Sequence, residues 1–156
     1  MKKVLIVEDN IYAAEDTKTD ISLYLRNKLI NYNENTIQIA TSIYEAEKFL
    51  QELQSEDELI CVITDLNMKP AGLTEEQIRM TRGAILTGWI WCYYNIILVD
   101  KYKNTNIIFY SAFIDILRNE QEFIRRRAQR KLIEINKSEE NFDNLCANVL
   151  SFLSHK

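Results

Sequence analysis

The sequence has 156 residues, 47% of them apolar, with only one proline and three glycines. That suits one compact domain with a sizeable core and leaves no length for a second one. A net charge of −4 and a pI near 5.1 argue against nonspecific nucleic-acid binding, which depends on Lys and Arg neutralising phosphates.

Met1-Lys2-Lys3 leads directly into the apolar run Val4 to Val7, too short for a signal-peptide core and followed at once by acids. The run reads as a strand buried on both faces. Ile21, Tyr24, Leu25, Lys28 and Leu29 recur at helical spacing and predict a helix from about Asn10 to Ile30. Thr36 to Ala40 alternates like a strand. Ser42 and Glu45 form a capping box that opens a helix with Ile43, Ala46, Phe49, Leu50 and Leu53 on one face.

Leu59 to Thr64 is a second wholly apolar strand, and Lys69-Pro70-Ala71-Gly72 is a loop by its turn residues. Thr74 and Gln77 make another capping box, predicting a helix that reaches about Asp100. The most apolar stretch, Ile85 to Val99, contains Thr87, Gly88 and Asn95 and is shorter than a membrane span. A soluble, cytoplasmic protein is expected.

Asn106 to Tyr110 reads as a strand, Phe113 to Arg127 as a helix and Lys131 to Asn136 as a final strand. Ser138 is placed to cap the last helix, where Glu139 and Glu140 meet the positive end of the dipole. Its buried stripe is Phe142, Leu145, Cys146, Val149, Leu150 and Leu153.

The three cysteines, Cys61, Cys92 and Cys146, are widely spaced within apolar runs, with no CxxC and no Cys/His cluster. Buried, reduced thiols are expected and a zinc site is not. The single histidine, His155, lies near the end of the sequence and is expected to be unordered, so any phosphoryl group must come from outside the chain.

Five strands, each followed by a helix, imply an α/β fold: a parallel sheet with right-handed crossovers and helices on both faces. Ligands of such sheets bind at the carboxyl ends of the strands. Glu8 and Asp9 follow the first strand and Asp65 the third, while Ser111 follows the fourth and Lys137 the fifth. Clustered carboxylates repel one another and call for a cation, and hard oxygen ligands with room for water suit Mg2+. A carboxylate beside Mg2+, a lysine and a hydroxyl suits a phosphoryl acceptor: metal and lysine hold the phosphoryl oxygens, the hydroxyl bonds one, and the carboxylate attacks.

Four segments then carry a resemblance to response-regulator receiver domains. Val4-Leu5-Ile6-Val7-Glu8-Asp9-Asn10 resembles their opening strand. Val62-Ile63-Thr64-Asp65-Leu66-Asn67-Met68-Lys69-Pro70 resembles their phosphoacceptor strand and D-L-x-M-P loop, with Lys69 inserted. Ile107-Ile108-Phe109-Tyr110-Ser111-Ala112 and Ile135-Asn136-Lys137 resemble the fourth and fifth strands.

The resemblance implies a flavodoxin-like doubly wound sheet of order 2-1-3-4-5, with an enlarged third helix in this chain. It implies a signalling domain, not an enzyme, that accepts a phosphoryl group on Asp65 from a histidine kinase or phosphotransfer protein. Asp9, Asp65 and the backbone carbonyl of Asn67 would bind Mg2+, with Glu8 helping through water. Ser111 and Lys137 would bind the phosphoryl group, and Asn67 and Phe113 would influence its lifetime. A downstream protein target is implied, with no DNA or membrane contact. The face of the fourth helix, fifth strand and fifth helix would serve targets or a homodimer.

Three departures stand out. Glu134 replaces the Tyr or Phe often found three residues before the lysine, Ser138 replaces the usual proline after it, and the stretch between Asp65 and Ser111 is long. These motivate an alternative, a receiver-fold adaptor that works without phosphorylation. A Mg2+-dependent hydrolase fits worse, lacking a second Asp two residues after Asp65 and a Gly-rich phosphate loop. The aromatic group Trp89 to Tyr94 reads as core or as a partner-recruiting patch. The run Arg125-Arg126-Arg127, with Arg130 and Lys131, reads as a solvated face or an output surface.

Overall fold

The computed structural model describes residues 1–29 and 31–155, apart from the side chain of Glu139. Five strands, β1 (Lys2–Val7), β2 (Ile37–Ala40), β3 (Glu58–Thr64), β4 (Asn106–Ser111) and β5 (Leu132–Asn136), form one parallel sheet in the order β2-β1-β3-β4-β5. The apolar runs that predicted the strands are buried because helices cover both faces. Leu5, Val7, Val62, Ile107 and Phe109 face one layer, and Val4, Ile6, Ile63, Ile108 and Tyr110 the other. A bulge at Ile60 shifts the register between Lys3 and Val4, where β1 meets β3.

The second layer is built by α1 (Ile11–Lys28) and α7 (Glu139–Ser154). Asn10 caps α1 by accepting the Ala13 N–H on its side chain at 3.1 Å. The helix reaches Lys28 with Leu29 as its C-cap, and the expected end at Ile30 lies outside the described residues. Ser138 stands at the N-cap of α7, but its hydroxyl makes no capping bond. Instead the Asn141 side chain donates to the Asn136 carbonyl at 3.0 Å and ties the helix to β5.

The first layer holds α2 (Ile43–Glu52), α3 (Glu75–Met80), α4 (Thr87–Cys92), α5 (Ile114–Leu117) and α6 (Gln121–Arg127). At α2 the Ser42 hydroxyl accepts from Glu45 N–H at 3.1 Å, while the Glu45 carboxylate turns to Thr41 N–H at 2.9 Å. The expected capping box is thus half made. The box of Thr74 and Gln77 is complete.

Two expected helices are each interrupted. The stretch Thr74 to Asp100 divides into α3, α4, a π turn (Tyr93–Ile97) and a 3-10 turn (Asp100–Tyr102). Arg82, Gly83 and Ala84, at φ of 53°, 70° and 75°, are all left-handed and end α3. The Thr81 hydroxyl fastens that turn, donating to Ile78 O at 2.7 Å and accepting from Ala84 N–H at 3.1 Å. The stretch Phe113 to Arg127 divides at Asn119 and Glu120 into α5 and α6. Leu117 and Phe123 are both fully buried in one cluster. Six residues carry a continuous helix about 240° around its axis, so one uninterrupted helix would leave one of the two outside.

The aromatic group is core. Trp89 packs edge-on against Phe109 (5.9 Å between centroids) and Phe123 (5.6 Å), and Trp91 is wholly buried. Cys61, Cys92 and Cys146 are free and buried, and burial pushes their thiols well above the usual range. No described helix is long and apolar enough to cross a membrane.

Candidate functional site

The ends of β1, β3, β4 and β5 deliver the predicted residues to one rim of the sheet. Side-chain parity decides which of them meet. Glu8, Asp65 and Lys137 follow residues of even spacing to Ile6, Ile63 and Ile135, and so lean to the α1/α7 side. Lys137 Nζ lies 3.2 Å from Glu8 Oε2 and 3.7 Å from Asp65 Oδ2, and 5.6 Å from the Tyr110 ring centroid. One ammonium therefore bridges two carboxylates from different strands.

The backbone fixes this rim. Asp65 N–H donates to Val7 O at 3.1 Å and Glu8 N–H to Ala40 O at 3.1 Å, extending the ladders one residue past each strand. Asp65 Oδ1 accepts the Leu66 N–H at 2.7 Å, leaving Oδ2 towards Lys137. Glu8 Oε1 accepts the Asn10 N–H at 3.1 Å. Burial, a hydrogen bond shared with Asp65, and the Asp65 charge together raise the Glu8 carboxyl from 4.5 to about 7, against the pull of Lys137 and the Asn10 N–H. Glu8 and Asp65 thus crowd each other in a poorly solvated corner.

Ser111 is fully buried on the opposite parity, and its hydroxyl accepts the Phe113 N–H at 3.1 Å. It joins β5 through its carbonyl, which accepts the Lys137 N–H at 3.1 Å. Ser138 follows Lys137 through a trans bond, since no cis peptide occurs among the described residues. Asn67 is exposed in the bend after Asp65. Asp9 does not join the carboxylate pair: its Oδ2 accepts the N–H of the inserted Lys69 at 3.0 Å.

Among the described residues, no group of three or more His, Cys, Asp or Glu side chains stands close enough to hold a metal. The two-carboxylate corner fits Mg2+ nonetheless, because that ion commonly takes one or two carboxylates and completes its shell with water and phosphate oxygens. Burial is the first cause of the raised Glu8 carboxyl, and the hydrogen bond and charge of Asp65 add to it.

Gly88 escaped the reading of the sequence. A Cβ there would lie 1.8 Å from the Asp65 carbonyl oxygen and 2.8 Å from Thr64 Oγ1. Gly88 N–H donates to Leu66 O at 3.0 Å. The start of α4 is thereby pressed onto the loop that follows β3, and only glycine admits that approach. A lone glycine among bulky apolar residues, Thr87-Gly88-Trp89-Ile90-Trp91, was the available signal.

Glu134 occupies the middle of β5 beside Phe109. Its carboxylate, 9% exposed, pairs with Arg127 Nη1 at 2.6 Å and Arg118 Nε at 3.6 Å. It fastens the ends of α5 and α6 to the strand, where an aromatic side chain was the expected occupant.

No protein-family model matches the chain, and neither does any curated protein sequence. Solved structures do. The receiver domain of the Francisella response regulator 1452 superposes with a TM-score of 0.55 at 18% identity, covering 97% of this chain and 96% of that one. A response-regulator receiver domain protein from Clostridium thermocellum superposes with a TM-score of 0.52 at 15% identity, covering 97% and 95%. The sheet order, the rim and these likenesses agree: the chain has the fold of response-regulator receiver domains.

Proposed function

We propose that the chain is a phosphorylation switch in which Asp65 accepts a phosphoryl group from a histidine kinase or phosphotransfer protein, and the altered surface changes binding to a protein target. The observation that carries this reading is the Lys137 ammonium set between Glu8 and Asp65, with the Glu8 carboxyl raised to about 7. A purely structural ion pair has no need of a second carboxylate in a partly buried corner.

In the proposed reaction an Asp65 carboxylate oxygen attacks phosphorus as the bond to the donor's nitrogen or oxygen breaks. An acyl phosphate forms, and the donor leaves with the electron pair and takes up a proton from solvent. Lys137 turns its ammonium from the carboxylates to a phosphoryl oxygen and donates to it, and the Ser111 hydroxyl donates to another. Asp65, Asp9 and the Asn67 carbonyl would hold Mg2+, with Glu8 helping through water, and the ion would supply positive charge to the phosphoryl group. For that role Asp9 would have to release the Lys69 N–H.

The output follows from the same bonds. Ser111 holds Phe113 N–H through its hydroxyl and Lys137 N–H through its carbonyl. Turning the hydroxyl to the phosphoryl group frees the start of the Phe113–Leu117 segment and biases the α5–α6 surface. In this reading the chain is a cytoplasmic receiver that signals through protein contacts, including self-association across α6, β5 and α7. The test is incubation with acetyl phosphate and Mg2+ followed by intact-mass measurement. One added phosphoryl group is expected, lost on omitting Mg2+ or in Asp65→Asn; a label that persists in Asp65→Asn contradicts the assignment.

Two observations favour a second reading, an adaptor that works without phosphorylation: Asp9 is engaged by Lys69, and Glu134 pins the surface that a receiver would move. Beryllium fluoride with Mg2+ separates the two. A switch changes hydrogen exchange over residues 113–127 on saturation, and an adaptor does not.

A further inference from the structure

At the opposite end of the sheet lies a cleft of about 480 Å³ whose charged lining is entirely basic. One wall is the segment that enters β4, with Lys103 and Asn104; the other is the end of α6 and the start of β5, with Arg126, Gln129, Arg130 and Lys131. Arg130 fastens the walls together, its Nη2 donating to the carbonyls of Tyr102 and Thr105, both at 2.6 Å. The cleft is therefore preformed and does not need to be assembled by a ligand.

Three of its four cations lack an anionic partner. Among the described residues no carboxylate lies within ion-pairing distance of Lys103, Arg130 or Lys131, and Arg126 meets only Glu122, at 3.8 Å. Nε of Arg126 and Nε of Arg130 are buried without a hydrogen-bond partner. In a chain of net charge −4, three cations without an anionic partner in one concavity, beside a fourth with one distant partner, run against the general balance. Such a grouping repels itself and is relieved by an anion.

We propose that this cleft binds a phosphate-bearing small molecule of about nucleotide size. Guanidinium and ammonium donors from both walls suit phosphate oxygens, and the volume lies within the roughly 300–1,000 Å³ of small-molecule sites. The Asn104 and Gln129 amides and the Ile97 side chain offer polar edges and an apolar wall for the remainder of the ligand. An acidic peptide fits less well, because the cations converge on one hollow and are not strung along an open face. The site is remote from Asp65 and independent of its phosphorylation.

The experiment is calorimetric titration of the whole chain at low salt in EDTA, with pyrophosphate, ADP, adenosine and polyglutamate as separate probes. Pyrophosphate and ADP are expected to saturate and adenosine not. Lys103→Glu combined with Lys131→Glu, both exposed positions, is expected to weaken ADP by about tenfold or more. Arg125→Glu, outside the cleft, and Asp65→Asn leave it unchanged. Absence of saturable binding by both ADP and pyrophosphate, equal ADP affinity in the double variant, or tighter binding of polyglutamate than of ADP each overturns the proposal.

Discussion

The two ends of the sheet carry opposite chemistry. At the carboxyl end two carboxylates crowd one another and share a single ammonium, Lys137. At the amino end Lys103, Arg126, Arg130 and Lys131 surround a hollow that no carboxylate lines. The modest net charge of −4 conceals this separation, so overall charge says little about either end. The ends also differ in construction. The acidic rim is made by residues one step past each strand, where parallel topology aims every chain end at the same place. The basic cleft depends on turns, and on one arginine bonding two carbonyls across it.

That difference governs what was legible in the sequence. Strand positions and the rim could be read because three apolar runs end abruptly in Glu8, Asp65 or Ser111, and the mixed fifth strand leads to Lys137. Parity then brings Glu8, Asp65 and Lys137 together, whereas Asp9 is drawn away by the N–H of Lys69, a contact that no side-chain pattern announces. The interruptions within the two long helical stretches were hidden for a related reason. Neither contains a proline, and the first depends on three successive left-handed residues of which only Gly83 is a glycine. The second follows from the need to bury both Leu117 and Phe123, which is a tertiary demand. The basic run Arg125 to Lys131 looked uniform, yet folding divides it between Glu134, Glu122 and the cleft.

Substitutions test the contrast between a rim held by backbone approach and surfaces held by charge. The largest effect is expected for Gly88→Ala, whose methyl would meet the Asp65 carbonyl oxygen at 1.8 Å. A loss of about 3 kcal/mol in urea unfolding is expected, because backbone on both sides must shift. A wild-type midpoint in this variant would mean that α4 does not press on the loop that follows β3.

Glu134→Ala should cost less, about 1–2 kcal/mol, because it strips Arg127 and Arg118 of a shared, mostly buried partner while leaving both arginines half in water. Arg125→Ala, whose contact is an exposed pair with Glu122, serves as the comparison and should fall within about 0.5 kcal/mol of wild type. Equal effects of the two would remove Glu134 as the clamp on α5 and α6.

A further test lies in pH dependence. The Glu8 carboxyl is raised from 4.5 in the unfolded chain to about 7 in the folded one. The folded chain thus holds this proton more tightly, so its contribution is full below about 4.5 and is lost as pH rises through about 7. Urea unfolding in EDTA should therefore show the wild type losing stability relative to Glu8→Gln between about pH 5 and pH 8. Parallel profiles for the two proteins would mean that Glu8 is not held in a crowded, poorly solvated corner.

The most direct test of the central claim is to locate the phosphoryl group. After acetyl phosphate and Mg2+ treatment, borohydride reduction converts an aspartyl phosphate to homoserine, and peptide mass spectrometry reads its position. The account predicts homoserine at position 65 alone. Phosphoryl transfer to any other residue, or no modification at position 65 under saturating acetyl phosphate and Mg2+, would contradict it.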